Sequence, residues 1–280
     1  MRVIGPNCLG ILTTLPEVSC NASFSRNWPP AGKVALVSQS GALGEAILAD
    51  AAQAGLGVSM YASVGNRVDV TAADLVAYWG EDPEVQVILL YLETVGEPSE
   101  FFQVARAVAP KKPIIAVKSG RSDAGALAAS SHTGSIAGAD VAVDTLFQQC
   151  GVLRVDSFRD MFTLARALLV QPPPRGPRMA IVTNAGGPGI LATDALAGLG
   201  MSMAQLAPAT TAALRTVVRD PGVDGLVVMF VSPIMIDAAA VARAIVDETR
   251  GLDRPVLACV MGRQGSDEAQ ELLDAAGVPV

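Results

Sequence analysis

The chain has few aromatic residues, a single histidine and little charge: aromatics make up 4% of its 280 residues and charged residues 17%. With so few rings, the core must be filled by Ala, Val, Leu and Ile, which suits the close helix-on-sheet packing of parallel α/β proteins. No apolar run approaches the roughly 18 residues that a membrane span needs. Met1 leads into Arg-Val-Ile and then Gly-Pro-Asn-Cys, with no basic-then-apolar secretion signal. The four cysteines (Cys8, Cys20, Cys150, Cys259) lie far apart and form no metal-type pairs, consistent with reduced thiols in a cytoplasmic protein. A net charge of −7 argues against nucleic acid as a partner, although oriented backbone amides could still bind an anion locally. Neither G-x-G-x-x-G nor a Walker-type G-x-x-x-x-G-K-[ST] occurs, which removes the basis for a nicotinamide-dependent oxidoreductase.

What is present is organised twice. Val34–Ser38 reads as a buried strand, Gln39-Ser40-Gly41 as a turn, and Leu43, Ile47, Ala51 and Ala54 as the apolar stripe of a helix stopped at Gly55. Met179–Thr183 repeats the strand, Asn184–Gly189 the turn, and a second helix ends near Gly198. The sequence from Ala54 to Met60 (AGLGVSM) is echoed by Ala197 to Met203 (AGLGMSM). Downstream, Asp82-Pro83 precedes the apolar run Val87–Tyr91, as Asp220-Pro221 precedes Leu226–Phe230. Ile114–Val117 is matched by Val256–Cys259. Strands alternating with helices predict parallel sheets covered on both faces. The fold expected is α/β, with two tandem flavodoxin-like domains at 31–170 and 178–280, joined by a proline-rich linker at 171–177. Residues 1–30 belong to neither half. They read as the last strand (Arg2-Val3-Ile4) and exit of a domain otherwise absent, and both ends of the chain look cut.

The two halves differ in the chemistry they carry. Between Lys118 and Val141 the first half inserts a polar, glycine-rich loop containing Ser131-His132-Thr133-Gly134. A lone histidine is by default a bystander. Here it precedes a helical stripe (Val143, Leu146, Phe147, Cys150), and a helix start favours bound phosphate. A largely neutral imidazole can act as a nucleophile and carry a transferred group. Glu93 closes the apolar strand at the C-terminal end where open α/β sheets place ligands, whereas the second half has about Val231 there. A carboxylate at that position could fix the imidazole's orientation; alone it could equally be a solvated strand-end acid. The turn at Ser40-Gly41 is a possible anion nest, a weak signal by itself.

Taken in order, Gly5-Pro6-Asn7-Cys8-Leu9-Gly10, Ser38-Gln39-Ser40-Gly41, Glu93 and Ser131-His132-Thr133-Gly134 resemble the NDP-forming acyl-CoA synthetases, relatives of the succinyl-CoA synthetase α subunit. The resemblance implies interconversion of acyl-CoA, phosphate and NDP with acid, CoA and NTP, through an acyl phosphate and a phosphohistidine. It makes His132 the phosphorylated residue and Glu93 its orienting carboxylate. Ser40, Gly41, Thr133 and Gly134 become phosphate-binding positions, and Asn7 and Cys8 lie near the CoA thiol. The cofactors and substrates implied are coenzyme A, phosphate, a small carboxylic acid, and ADP or ATP with Mg²⁺.

Three departures accompany the resemblance. Most of the N-terminal CoA-binding domain is missing, and so is the ATP-grasp module that would hold the nucleotide. The second half also looks short between Leu206 and Asp220. The chain is therefore expected to need a CoA-binding domain and an ATP-grasp partner, as a separate subunit or a fused domain. The competing expectation is a non-catalytic acyl-CoA-sensing module of a protein acetyltransferase, which the presence of His132 and Glu93 disfavours.

Overall fold

The structure is a computed structural model; it describes residues 1–122, 125, 140–204, 213–231, 237–262 and 266–280. The chain divides into two units, Met1–Leu169 and Val170–Val280.

The first unit is built on a seven-stranded sheet. Its strands are β1 (Gly10–Thr13), β2 (Cys20–Ser23), β3 (Val34–Ser38), β4 (Val58–Ser63), β5 (Val87–Leu92), β6 (Ile114–Lys118) and β7 (Leu153–Val155). Their spatial order is β2-β1-β4-β3-β5-β6-β7, with β3 to β7 parallel to one another. Counted from β3, this is 2-1-3-4-5, the flavodoxin-like order, whose switch point lies between β3 and β5. Helices α1 (Gly41–Gln53), α2 (Ala72–Glu81), α3 (Pro98–Val108), α4 (Asp140–Cys150) and α5 (Phe158–Val170) complete the alternation.

The central strands are apolar throughout because the sheet is buried on both faces. Val37, Ile88, Leu90 and Ala116 join Trp79, Phe101 and Phe147 in one core. Leu36, Leu89 and Ile115 join Ile47, Leu48 and Met161 in the other. Each such side chain contributes about 1.5–3 kcal/mol by leaving water. The expected helices begin and end as their signals suggest: Ser40 caps α1 by accepting from the Leu43 N–H at 3.3 Å, and Gly55 follows the helix with φ +68°.

The strand and apolar runs read from each half leave out β4 and its counterpart in the second half, and β7 as well. Val58–Ser63 carries serine at its second and last positions and so does not read as a continuous apolar run. Ser59 and Ser63 are nevertheless fully buried: the Ser59 hydroxyl donates to the Val34 carbonyl at 3.1 Å, and Ser63 accepts from the Leu9 N–H at 3.0 Å. Satisfied hydroxyls are tolerated in a core.

Residues 1–30, which the sequence sets apart from both halves, pack as part of the first unit. The β1–β2 hairpin extends the sheet, and β1 pairs antiparallel with β4. Arg2-Val3-Ile4, expected as a strand, joins no sheet. It lies beside the segment after β4, with the Val70 N–H donating to the Val3 carbonyl at 3.1 Å.

The second unit repeats the plan with four parallel strands: β8 (Arg178–Thr183), β9 (Ser202–Met203), β10 (Gly225–Val231) and β11 (Val256–Met261). Their order is β11-β10-β8-β9, which counted from β8 is again 2-1-3 with a fourth strand beyond. Helices α6 (Gly186–Gly198), α7 (Ala213–Val217), α8 (Ala238–Thr249) and α9 (Ser266–Ala275) belong to it. Gln171, at the start of the expected linker, is tied into this unit: its carboxamide accepts from the Val256 N–H at 2.8 Å and donates to the Gly277 carbonyl. Among the described residues, no helix is long and apolar enough to cross a membrane.

Candidate functional site

The site grows from the ends of β3 and β5, the two strands at the switch point. Gln39 follows β3 directly and is 5% exposed. Its carboxamide oxygen accepts from the backbone N–H groups of Glu93 (2.7 Å) and Thr94 (3.0 Å), and its Nε2 donates to the Thr94 carbonyl at 2.6 Å. One side chain thus replaces the backbone ladder where the strands diverge and satisfies three buried main-chain groups. Glu93, 6% exposed, is held in this way at the tip of β5.

The second unit builds the same clamp. Asn184 follows β8, accepts from the Val231 N–H and donates to the Val231 carbonyl, both at 2.9 Å. Val231 is the residue that the duplication aligns with Glu93. The clamp therefore belongs to the fold, while the carboxylate belongs to the first unit alone.

Around Glu93 opens a cavity of about 600 Å³, lined by Asn66, Arg67, Thr94, Glu97, Lys118 and Leu146 among others. Lys118 ends β6 in register with Leu92 and is 5% exposed. Its ammonium donates to the Ser119 carbonyl. Burial pushes its pKa down, Asp140 opposes that shift, Arg154 adds to it and Glu93 opposes it more weakly. Arg67 reaches in from the loop after β4, donating from Nη1 to the Thr94 carbonyl (3.2 Å) and from Nη2 to the Thr94 hydroxyl (2.7 Å). Burial lowers its pKa too, against the pull of Glu93.

Asn7 and Cys8 lie on the same edge of the sheet. The Asn7 carboxamide donates to that of Asn66 at 3.3 Å, and Asn66 lines the Glu93 cavity. The contact between these segments is close: the Asn66 N–H donates to the Pro6 carbonyl at 3.0 Å and the Val68 N–H to that of Gly5 at 3.1 Å. A Cβ on Gly65 would lie 2.2 Å from the Pro6 carbonyl oxygen. At the start of α1, a Cβ on Gly41 would lie 3.2 Å from the Leu9 nitrogen, so Ser40 and Gly41 face the chain just after Cys8. The Ser40 hydroxyl is engaged as the helix cap.

Asn7, Cys8, Ser40, Gly41 and Glu93 are thus neighbours at one end of one sheet. His132, Thr133 and Gly134 lie outside the described residues. Sequence reasoning did not single out Gln39 by itself, Arg67 or Thr94. Gln39 was legible only as part of a turn. Arg67 sits in Asn66-Arg67-Val68-Asp69, which carries no motif; its signal is a backbone φ of +55°, rare for a residue with a side chain.

Comparison with known proteins fits this geometry. Residues 31–168 match the succinyl-CoA ligase-like flavodoxin domain. The whole chain is 37% identical to the α subunit of acetate–CoA ligase [ADP-forming] II of Pyrococcus furiosus and spans 67% of that subunit. Over 74% of its length it is 40% identical to the 4-hydroxybutyrate–CoA ligase [ADP-forming] of Nitrosopumilus maritimus, of which it covers 30%. Among solved structures, acetyl-coenzyme A synthetase 1 of Ca. Korarchaeum cryptofilum, in complex with phosphate and ADP, superposes over the full chain with a TM-score of 0.91. The two are 33% identical, and the match covers 67% of that protein.

Proposed function

Because the chain belongs to the ADP-forming acyl-CoA ligase family, as the part that corresponds to about two thirds of its α subunits, we propose that it carries the phosphoryl-transfer centre of such an enzyme. The reaction is acyl-CoA + phosphate + ADP ⇌ acid + CoA + ATP. A non-catalytic sensing role is not what its relatives are named for. The observation that carries the reading is Glu93: a buried carboxylate on an amide clamp, beside a cavity with Arg67 and Lys118, where the duplicated half has valine.

In the first step an oxygen of HPO₄²⁻ attacks the thioester carbonyl. The C–S bond breaks, its electron pair leaves with sulfur, and the phosphate proton ends on the CoA thiol. In the second step neutral His132 attacks phosphorus, the acyl-side P–O bond breaks and a carboxylate leaves. The imidazole then bears PO₃²⁻ on one nitrogen and a proton on the other, and becomes an imidazolium. Glu93 is the group that orients the ring and balances this charge. Ser40 and Gly41 contribute the free N–H end of α1, an anion-favouring terminus. Thr133 and Gly134, next to His132 in the sequence, are the other phosphate-binding positions, and Asn7 and Cys8 border the thioester. CoA and nucleotide, the latter with Mg²⁺, are held by a CoA-binding domain and an ATP-grasp partner. The acid is a small carboxylate. The setting is cytoplasmic, in keeping with four free cysteines.

The test supplies the chain with its CoA-binding and ATP-grasp modules, acetyl-CoA and ³²P-phosphate. Acid-labile label on the chain that disappears in His132→Asn is the expected result. Absence of label in the complete, acyl-CoA-binding assembly overturns the proposal and leaves the sensing role.

A further inference from the structure

Arg67 is placed with more effort than a brace requires. Its backbone is left-handed at φ +55°, a conformation that disfavours any side chain with a Cβ. That conformation is held from outside: the Arg67 N–H donates to the Val64 carbonyl, and the flanking N–H groups of Asn66 and Val68 donate to Pro6 and Gly5. The guanidinium enters the cavity and spends two donors on Thr94. The Thr94 carbonyl already receives the Gln39 carboxamide at 2.6 Å, so it does not need an arginine. The Arg67 Nε is buried and has no hydrogen-bond partner. Half-burying a guanidinium, with its Nε unpartnered, for one bond to a hydroxyl and one to a carbonyl that already has a donor is unfavourable unless an anion joins it.

The charges around the cavity leave room for that anion. Among the described lining residues, half-buried Arg67 and buried Lys118 stand against one buried carboxylate, Glu93; Glu97 is exposed. Asp140, which also acts on Lys118, is held by Arg154 at 2.6 Å and by Arg121 at 3.7 Å. Arg67 also stands between two parts of the site. Its neighbour Asn66 bonds Asn7, and its own guanidinium bonds the residue next to Glu93.

We propose that Arg67 is the phosphate-binding residue of the first chemical step, holding HPO₄²⁻ between the Asn7–Cys8 edge and Glu93. The inference rests on the function proposed above. A planar guanidinium with N–H groups to spare grips two oxygens of a phosphate while a third attacks the thioester carbonyl. As the C–O bond forms and the C–S bond breaks, the same two oxygens remain bound, so the acyl phosphate is left facing Glu93 and ready for the histidine.

The experiment compares wild type, Arg67→Lys and Arg67→Gln in the complete assembly with its CoA-binding and ATP-grasp modules. Arg67→Gln is expected to raise the KM for inorganic phosphate at least tenfold and leave the KM for acetyl-CoA within about twofold, with Arg67→Lys between. Labelling of His132 from ATP, in which no free phosphate takes part, should fall at least tenfold less than labelling from acetyl-CoA and phosphate. An unchanged phosphate KM, or equal falls along both routes, overturns the assignment. If the variants do not fold, wild type still decides: inorganic phosphate must slow modification of Arg67 by phenylglyoxal, read by peptide mass spectrometry, and absence of protection refutes the proposal. Failure of wild type to label at all instead strikes the proposed function, not Arg67.

Discussion

Gln39→Met removes the amide clamp and keeps nearly the same side-chain length and volume, so its cost can be worked from the hydrogen bonds. Three bonds vanish, to the Glu93 N–H, the Thr94 N–H and the Thr94 carbonyl. The carbonyl keeps Arg67 Nη1 at 3.2 Å, so two N–H groups are orphaned, on residues only 6% and 7% exposed. A buried unsatisfied donor costs about 1–3 kcal/mol. The first unit should therefore lose about 2–6 kcal/mol, a large share of the roughly 5–15 kcal/mol that holds a domain. Both tryptophans, Trp28 and Trp79, lie in the first unit, so tryptophan fluorescence during urea unfolding reports that unit alone. A loss below about 1 kcal/mol would refute the reasoning, since it would mean that water or a neighbour replaces the clamp. The exposed counterpart is the internal control: Asn184→Ala, where solvent can satisfy Val231, should cost the second unit less than about 1 kcal/mol by circular dichroism.

Glu93→Gln should slow phosphate-dependent labelling of His132 by about 10²-fold or more without shifting the tryptophan-monitored midpoint; labelling at the wild-type rate would remove Glu93 from the chemistry. Gly65→Ala places a methyl 2.2 Å from the Pro6 oxygen on a backbone at φ +48°, and should cost about 1–3 kcal/mol. Hydrogen exchange should show the amides of Asn66 and Val68 losing protection, and unchanged protection would contradict the close contact. In the second unit, the Arg178 side chain and backbone N–H hold the Asp224 carboxyl down at about 2. A lowered folded value means that this stabilisation is full above the unfolded carboxyl's ~3.9 and disappears as pH falls through about 2. Stability of the second unit should drop across that window in wild type, and Asp224→Asn should flatten the drop; an identical pH profile in the variant rules it out.

The sequence by itself determined the alternation of strands and helices, the doubling of the plan and the position of Glu93 at a strand tip. These are local matters: Val87–Leu92 is apolar at every position because both of its faces are covered, and that can be read along the chain. The ordered motifs from Gly5 to Gly134 were likewise enough to bring the ligase family into view. Strand β4 was hidden because hydroxyls that are satisfied in the folded state look polar on paper. Only the tertiary structure decided that Gln39 grips Glu93 across 54 residues, and that Asn184 repeats the grip on Val231. Only there does Arg67 meet Thr94, and only there do residues 1–30 lie against the loop that carries it. The physical reason is that a hydrogen-bonding side chain has no periodicity to betray its partner. Which distant main-chain groups it satisfies depends on where two strands diverge, and that is set by the strand order of the whole sheet.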